Sequence, residues 1–571
     1  MNGLARRLLS SEFKKIKWQR KLSVSAAMRK DEDFIIKSFL PEKNIPDMKI
    51  LDRLWIEDSG FKNLVSVECA ETKKSYTYEQ LQQNTAIFAT SLLKKLGLKQ
   101  GDIVAVMLPN CPEFVVTVLG IVQAGCVMTT INPIYKELEL THQLSLTRPK
   151  VIVTIAECYG TIQKAVKNAN LDLKVIVKDR IDTPVPDGTI RFSEIAESGE
   201  ADRALLDRLE KRKPNDVAII PFSSGTTGLP KGVEITNRNI IAAMQLMAEE
   251  KNSYPKLANQ SFQDVVPCIL PFFHIYGLVI SLLGHLTKGC KLVTMTKFSA
   301  SLYFDILMND KASLLYIVPP IAILLGKHPD VTKDHLKHIR IISCGAAPLA
   351  ASDAELVLAK TNGKVQFGQG YGATETTSLT TTTVIGSEID YSACGVPMCN
   401  MELKFIDPLS GHPVKIGEQG EMYVRGPVVM KGYHKNEQAT ADSLTADGFF
   451  KTGDLGYYKP GKGLFITDRI KELIKVKGLQ VIPAELEAIL RSHPSVADAA
   501  VIGIPHEFNG EAPRAFVIPK KDAKLSEEEL QTFVAEKVAP YKKLEEVVFV
   551  NDIPKTNTGK ILRRELKKMY A

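Results

Sequence analysis

The stretch "PFSSGTTGLPKG", Pro221 to Gly232, sets four hydroxyl side chains and three glycines around one lysine. Glycine is costly to order, and Ser and Thr bond to nearby backbone, so this composition predicts a loop. The backbone N–H groups, the hydroxyls and Lys231 would together make a nest for phosphate oxygens. A Walker A loop needs Gly-Lys-[Ser/Thr], whereas here Pro230 precedes Lys231 and Gly232 follows it. Taken alone, the stretch also fits a plain surface loop. Two further residues invite opposite readings. His274 lies in an apolar run, where a satisfied core histidine is the plainer expectation. Lys560 sits in a run with Arg563, Arg564, Lys567 and Lys568, which by residue type alone is a solvated basic tail.

The elements that would position such groups follow from hydrophobic patterning. A helical pattern spans Tyr78 to Leu98, a buried strand Asp102 to Met107, a helix Glu113 to Ala124, and a second strand Lys150 to Thr154. The alternation resumes at Leu292–Thr294, Leu314–Val318 and Ile339–Ser343. Strands alternating with helices predict βαβ units and a parallel sheet. After about Asn400 the texture changes to short alternating strands with Gly-rich turns, as in Gly420 to Gly426, which predicts a small β element. A charged stretch from Asp468 to Glu472 then precedes a final α+β segment. The expected fold is α/β: a large N-terminal domain over 31–470 with parallel α/β layers and a small β element, then a small mobile α+β domain over 471–571.

The chain has 571 residues, too many for one core, with 44% hydrophobic and 24% charged residues, the balance of ordinary globular protein. Its net charge of +8 lies in residues 1–30, which hold nine Lys or Arg and one acid, so the remaining body is neutral and carries no nucleic-acid footprint. Leu4, Leu8, Leu9, Phe13 and Ile16 share one half of a helical wheel, opposite Arg6, Arg7, Lys14 and Lys17. An amphipathic, basic, acid-poor start predicts a mitochondrial presequence, with a solvated tail on a cytoplasmic protein as the alternative. The C-terminus lacks a Ser-Lys-Leu type signal. Nine scattered cysteines without CxxC or zinc spacing predict buried free thiols. The uncharged run Val265 to Thr287 is interrupted by Pro267 and Pro271, so a strand, turn and core helix is expected rather than a membrane span.

Six motifs occur in order: "SSGTTGLPKG", "PFFHIYG" (271–277), "GQGYGATETTS" (368–378), "FKTGDLG" (450–456), "TDRIKELIKVKGLQVIPAELE" (467–487) and "PKTNTGKILRREL" (554–566). Together they resemble the acyl-adenylate-forming superfamily of acyl-CoA synthetases, 4-coumarate:CoA ligases and beetle luciferases, over roughly residues 50 to 568. The resemblance implies an AMP-forming acid:CoA ligase using ATP, Mg²⁺ and CoA. It makes the residue types intelligible. A carboxylate cannot acylate a thiol directly because oxide is a poor leaving group, whereas acyl-AMP has a good one. Forming it is mostly a matter of positioning and electrostatics.

What the resemblance implies residue by residue is this. Ser223, Ser224, Gly225, Thr226, Thr227, Gly228 and Lys231 grip pyrophosphate. Gly370, Tyr371 and Gly372 accompany the nucleotide, Thr374 the α-phosphate, and Glu375 the Mg²⁺ ion. Asp454, helped by Arg469, holds the ribose hydroxyls. Lys560 is the mobile catalytic lysine of adenylation, and Lys475 is its counterpart in thioester formation. Lys471 is the hinge, and Gly478, Leu479 and Gln480 line the pantetheine tunnel. His274, Tyr276, Gly277, Ile280, Gly345, Gly370 and Gly372 surround the acyl group, with His274 as gate or neighbour of its carboxylate.

Two departures stand out. Asn237 replaces the His of the Thr-His-Arg-Asn that many relatives carry after the loop, which would remove a contact and alter ATP affinity. "GATETTS" resembles the luciferases and insect fatty acyl-CoA synthetases more than the plant ligases. Ile280 lies where plant ligases carry a small Ser, and several glycines leave room, so the expected substrate is a medium- or long-chain fatty acid, with aryl acids second. A luciferase-like monooxygenase and a non-catalytic acyl-binding scaffold are the rival readings. The set Thr374, Glu375, Asp454, Lys475 and Lys560 speaks against the scaffold, since a pure binder has no need of all of them.

Overall fold

The computed structural model describes residues 34–570 apart from 57–59, 180–183, 224–229, 252, 364, 388–389, 477–478, 507–508 and 557–558. The basic segment 1–30, the loop residues Ser224, Gly225, Thr226, Thr227 and Gly228, and Gly478 therefore lie outside the described residues.

The alternation read from the sequence builds a parallel sheet. Ile103–Met107 lies at its centre between Val127–Thr130 and Val151–Thr154, followed outward by Lys174–Val177 and Ile190–Arg191. The central strand is apolar at every position because both of its faces are covered. Val104 and Val106 pack with residues of the helices Tyr78–Lys94 and Pro112–Gln123. Ala105 and Met107 pack with residues of Glu137–Thr147 and Tyr159–Asn168 on the other face. The first helix starts where Thr77 and Gln80 cap one another reciprocally, and the second where Pro112 occupies a position whose N–H no helix needs.

Beyond Val127–Thr130 the sheet continues through Val217–Ile219 and then turns antiparallel. Its edge is the hairpin Phe222–Ser223 with Lys231–Thr236, in which Ser223 pairs with Lys231. The glycine-rich loop is the connection of this hairpin, so sheet pairing fixes both of its ends.

A second set of parallel strands, Val65–Cys69, Lys291–Thr294 and Val265–Cys268, meets a third, Leu314–Ile317, Ile341–Cys344 and Gln366–Gln369, through the Ser313 N–H on the Val265 carbonyl at 3.0 Å. Gly345 and Gly370 directly follow the carboxyl ends of two of these strands, where open α/β sheets form their crevices. The run Val265 to Thr287 is a strand, a turn and the helical segment Tyr276–Gly284, with Leu278, Val279, Leu282 and Leu283 buried. Among the described residues no helix is long and apolar enough to cross a membrane. All nine cysteines are buried and free.

The small β element is an antiparallel sheet of Ile36–Lys37, Glu402–Ile406, Gly420–Arg425, Phe450–Lys459 and Gly463–Arg469. It ends at Arg469. A turn, Ile470–Glu472, leads into a separate mixed sheet whose strands Ile474–Val476, Val496–His506, Gly510–Pro519 and Glu546–Phe549 are covered by the helices Pro483–Arg491, Glu527–Ala535 and Arg563–Met569. This C-terminal part has cores of its own, around Leu486, Val501 and Leu530 on one face and Ile502, Phe516 and Leu566 on the other. The chain is thus a large N-terminal α/β domain followed by a small α+β domain.

Candidate active site

A cavity of about 760 Å³ opens between the two domains, and its wall combines residues from four of the motifs in the large domain with Lys560 from the small one. At one end lies Asp454. The strand Phe450–Lys459 slips in register against Gly420–Arg425 between Glu421 and Tyr423, and Gly453 takes a left-handed φ of 72°. Such a bulge re-aims a side chain, and Glu421 holds it by accepting the Gly453 N–H at 3.2 Å. The Asp454 carboxylate is buried between two donors, the Tyr371 hydroxyl on Oδ2 and Arg469 Nε at 3.0 Å from Oδ1. A buried carboxylate with orienting donors, facing a cavity, is equipped to accept two hydroxyl protons from a sugar.

The adjoining wall is the segment Gly370 to Ser378. Thr377 and Ser378 both adopt positive φ, 49° and 76°, a costly conformation for residues with side chains. It is held by the Thr376 hydroxyl, which accepts the Ala373 N–H, and by the Thr377 hydroxyl on the Val428 carbonyl. The folded-back chain brings the Ser378 carbonyl so close to Gly372 that a Cβ there would stand 1.8 Å from its oxygen. Gly372→Ala is therefore expected to displace the Thr374 and Glu375 turn, and misplacement on the ångström scale costs on the order of 10²-fold in rate. Pyrophosphate exchange into ATP would fall by that factor in a protein that still unfolds cooperatively; unchanged exchange would refute the positioning role of this turn.

Glu375 is buried, and its Oε1 accepts the Tyr433 hydroxyl at 2.9 Å. Lys231 Nζ stands over the Tyr433 ring, 4.9 Å from its centroid. Sequence reading missed Tyr433; it arrives because Gly432–Tyr433 pairs with Lys231–Thr236, a register no local pattern reveals. The Ser223 hydroxyl beside them is buried with no hydrogen-bond partner among the described residues. A lysine, an orphaned hydroxyl and a carboxylate around one space fit a polyphosphate with a hard cation. Among the described residues no cluster of three metal-ligating side chains exists. Glu375 would thus share Mg²⁺ with phosphate oxygens, the usual arrangement for this ion.

Toward the acyl end, His274 accepts the Tyr276 N–H on Nδ1 at 3.3 Å, and burial pushes its imidazole down to about 4. The ring is neutral at neutral pH and keeps Nε2–H as a donor. Tyr276, Ile280, Gly345, Gly370 and Gly372 line the cavity. A Cβ on Gly345 would sit 3.3 Å from the Tyr276 ring, so that glycine keeps room beside the phenol. Gly277 does not line the cavity. A Cβ at that position would stand 2.1 Å from the Pro271 carbonyl oxygen, so this glycine serves the tight packing of the turn rather than the pocket. Nor does Asn237, whose amide instead bonds the Lys213 and Asp216 carbonyls, each at 3.2 Å.

Lys560 enters from a short loop of the small domain. Its N–H donates to the Thr556 hydroxyl at 3.0 Å, its carbonyl accepts the Thr556 N–H at 2.8 Å, and Gly559 packs against Pro320 of the large domain. Burial, with Arg469 nearby, pushes the ammonium down to about 8. The neighbouring basic run divides. Arg563 pairs with Glu472 and Glu487, whereas Arg564, Lys567 and Lys568 are exposed. Lys471, on the turn between the domains, lines the cavity. Lys475 does not. It is exposed on the strand Ile474–Val476, paired in register with Gln480, and its N–H donates to Glu511 at 2.7 Å. The two lysines are thus presented on opposite terms, one in the cavity and one outside it.

Known proteins share this arrangement. A family model for AMP-binding enzymes matches residues 58–434, and one for the AMP-binding enzyme C-terminal domain matches residues 485–560. The chain is 36% identical over 559 residues to 4-coumarate–CoA ligase 1 of Arabidopsis thaliana, covering 96% of this chain and 98% of the relative. It is also 36% identical to a 4-coumarate–CoA ligase of Pinus taeda, covering 93% and 98%. Among solved structures, ATP-bound MatB of Rhodopseudomonas palustris superposes with a TM-score of 0.81 at 27% identity, covering 91% of this chain and 98% of that one. A benzoate CoA ligase of Burkholderia xenovorans LB400 shares the fold, with a TM-score of 0.80 at 24% identity and coverage of 91% and 99%. With both of the family's domains matched and the relatives aligned almost end to end, the chain belongs to the acyl-adenylate-forming superfamily of AMP-binding enzymes, among its AMP-forming acid:CoA ligases.

Proposed function

We propose that this ligase activates an apolar aliphatic acid, of the medium- or long-chain fatty acid class, and transfers it to CoA. The observation that carries this reading is the apolar wall at the acyl end. The cavity wall continues along one helix from Tyr276 past Ile280 to Gly284 and His285. That stretch gives the acyl end about two helical turns of wall. Phe273, Met247 and Leu379 add apolar surface to the same wall. The 36% identity to 4-coumarate–CoA ligases favours a second reading, an aryl acid held beside Tyr276.

In this proposal the neutral His274 donates to the acid's carboxylate, and the Lys560 ammonium draws that carboxylate and the α-phosphate together. Thr374 bonds the α-phosphate. Lys231 and the Ser223 hydroxyl hold the departing pyrophosphate, and Glu375 would hold a Mg²⁺ ion, which would supply charge neutralisation there. Asp454 fixes the ribose. Attack of the carboxylate oxygen on the α-phosphorus releases pyrophosphate; attack of the CoA thiol on the acyl carbon then releases AMP. CoA-dependent AMP release across saturated acids from hexanoate to octadecanoate, cinnamates and benzoates tests the assignment. Turnover confined to the saturated acids is expected, and turnover confined to cinnamates or benzoates would overturn it.

A further inference from the structure

A phenol touches both of the opposite charges at the phosphate end of the cavity. Tyr433 donates its hydroxyl to Glu375 Oε1 at 2.9 Å, and the Lys231 ammonium stands over its ring, 4.9 Å from the centroid. All three residues line the cavity. Yet among the described residues neither Lys231 nor Glu375 forms an ion pair, with each other or with any other group. Opposite charges that share one partly buried wall attract each other strongly. Pairing would consume both, because an ammonium closed on a carboxylate has less to offer phosphate oxygens, and the carboxylate less to offer a cation.

The place of Tyr433 is set by backbone rather than by the charges it touches. Gly432–Tyr433 pairs with Lys231–Thr236, with Tyr433 opposite Val233. The Tyr433 N–H donates to the Thr440 hydroxyl at 2.9 Å, and its carbonyl accepts the Asn436 N–H at 3.1 Å. Before it, Gly432 has no room for a side chain, since a Cβ would stand 2.8 Å from the Thr440 methyl. Ser443, at the end of the helix Glu437–Ser443, bonds the phenol oxygen as well. The ring is thus anchored to the hairpin that carries the glycine-rich loop and to a helix, and it holds its place without help from either charge.

A phenol suits the task for two reasons. Its face attracts an ammonium without exchanging a proton with it, and its hydroxyl takes one oxygen of a carboxylate. Glu375 Oε2 is left without a partner among the described residues. Phenylalanine would supply only the face, and leucine neither.

We infer that Tyr433 is a positioning residue that keeps the phosphate lysine and the Mg²⁺ carboxylate apart, its ring holding Lys231 and its hydroxyl orienting Glu375. The inference deepens the roles proposed above for Lys231 and Glu375 and rests on them, though not on which acid is activated.

The test measures equilibrium binding of ATP to the full chain by calorimetry, without acid or CoA, once with excess Mg²⁺ and once with EDTA. In the wild type Mg²⁺ should tighten binding. Tyr433→Phe keeps the ring, so affinity in EDTA should hold while the gain from Mg²⁺ shrinks by roughly 10-fold, the scale for losing a group that orients a metal ligand. Tyr433→Leu should also weaken binding in EDTA, by about 3- to 10-fold, as Lys231 leaves the ring and closes on Glu375. Adding Glu375→Gln should then raise affinity in EDTA more in the Tyr433→Leu background than in the wild type, because it removes the competing anion. Equal loss with and without Mg²⁺ in Tyr433→Phe would mean a structural role and overturn the inference, as would no loss at all. The same gain from Glu375→Gln in both backgrounds would overturn the separation of the charges. Wild-type binding indifferent to Mg²⁺ would overturn the Mg²⁺ role of Glu375 together with the inference and leave the acid assignment standing.

Discussion

Replacing Lys560 by Ala is expected to slow acyl-AMP formation by about 10²–10³-fold, the usual consequence of losing one preorganised charge contact to a transition state, while thioester formation from supplied acyl-AMP survives. The ammonium comes from the small domain yet lies in the wall shared by Asp454, Arg469 and Thr374. Among the described residues it forms no ion pair, so its charge is available to anions that enter. Pyrophosphate exchange reports the first step, and loss of thioester formation as well would sink the assignment. The same residue gives the step a pH dependence. Its folded value is lowered to about 8, so in the free enzyme the charged form persists below that pH and is lost as pH rises through it. Because kcat/KM reports the free enzyme, adenylation should decline above pH 8, and Lys560→Arg, which stays charged, should remove that decline.

Much of this arrangement was legible in the residues, for identifiable reasons. Helices and strands were placed well where apolar periodicity is long and local. Ile103–Met107 was expected from Asp102, and Pro112–Gln123 from Glu113. The glycine-rich loop announced itself by composition, and the hairpin that carries it explains why both ends are fixed. What stayed hidden depends on register and on contacts between distant segments. Nothing around Tyr433 signals that strand pairing sets it beneath Lys231 and against Glu375. The motif supplied Asp454, but the bulge that aims it depends on how Phe450–Lys459 slips against its neighbour. Gly277 was expected at the acyl pocket from the resemblance, whereas its missing side chain answers to the Pro271 carbonyl.

The complementary expectation concerns Lys475. Its side chain lies outside the cavity while Lys560 lies within it, and both belong to one small domain with continuous cores of its own. A rigid body cannot offer both lysines to one cavity in a single pose. Serving two half-reactions therefore calls for rotation about a hinge, and the turn Ile470–Glu472, between the last strand of one domain and the first of the next, is where backbone dihedrals can absorb it. Lys475→Ala should then leave pyrophosphate exchange unchanged, because the pose that adenylates does not use it. Conversion of supplied acyl-AMP and CoA to thioester should fall by about 10²-fold, on the scale of one lost transition-state contact. Lys471→Pro, which removes a backbone N–H and fixes φ at the turn, should likewise slow the second step more than the first. If Lys475→Ala instead slowed adenylation and spared thioester formation, rotation would not bring this strand to the cavity, and the second half-reaction would have to proceed in the pose that holds Lys560.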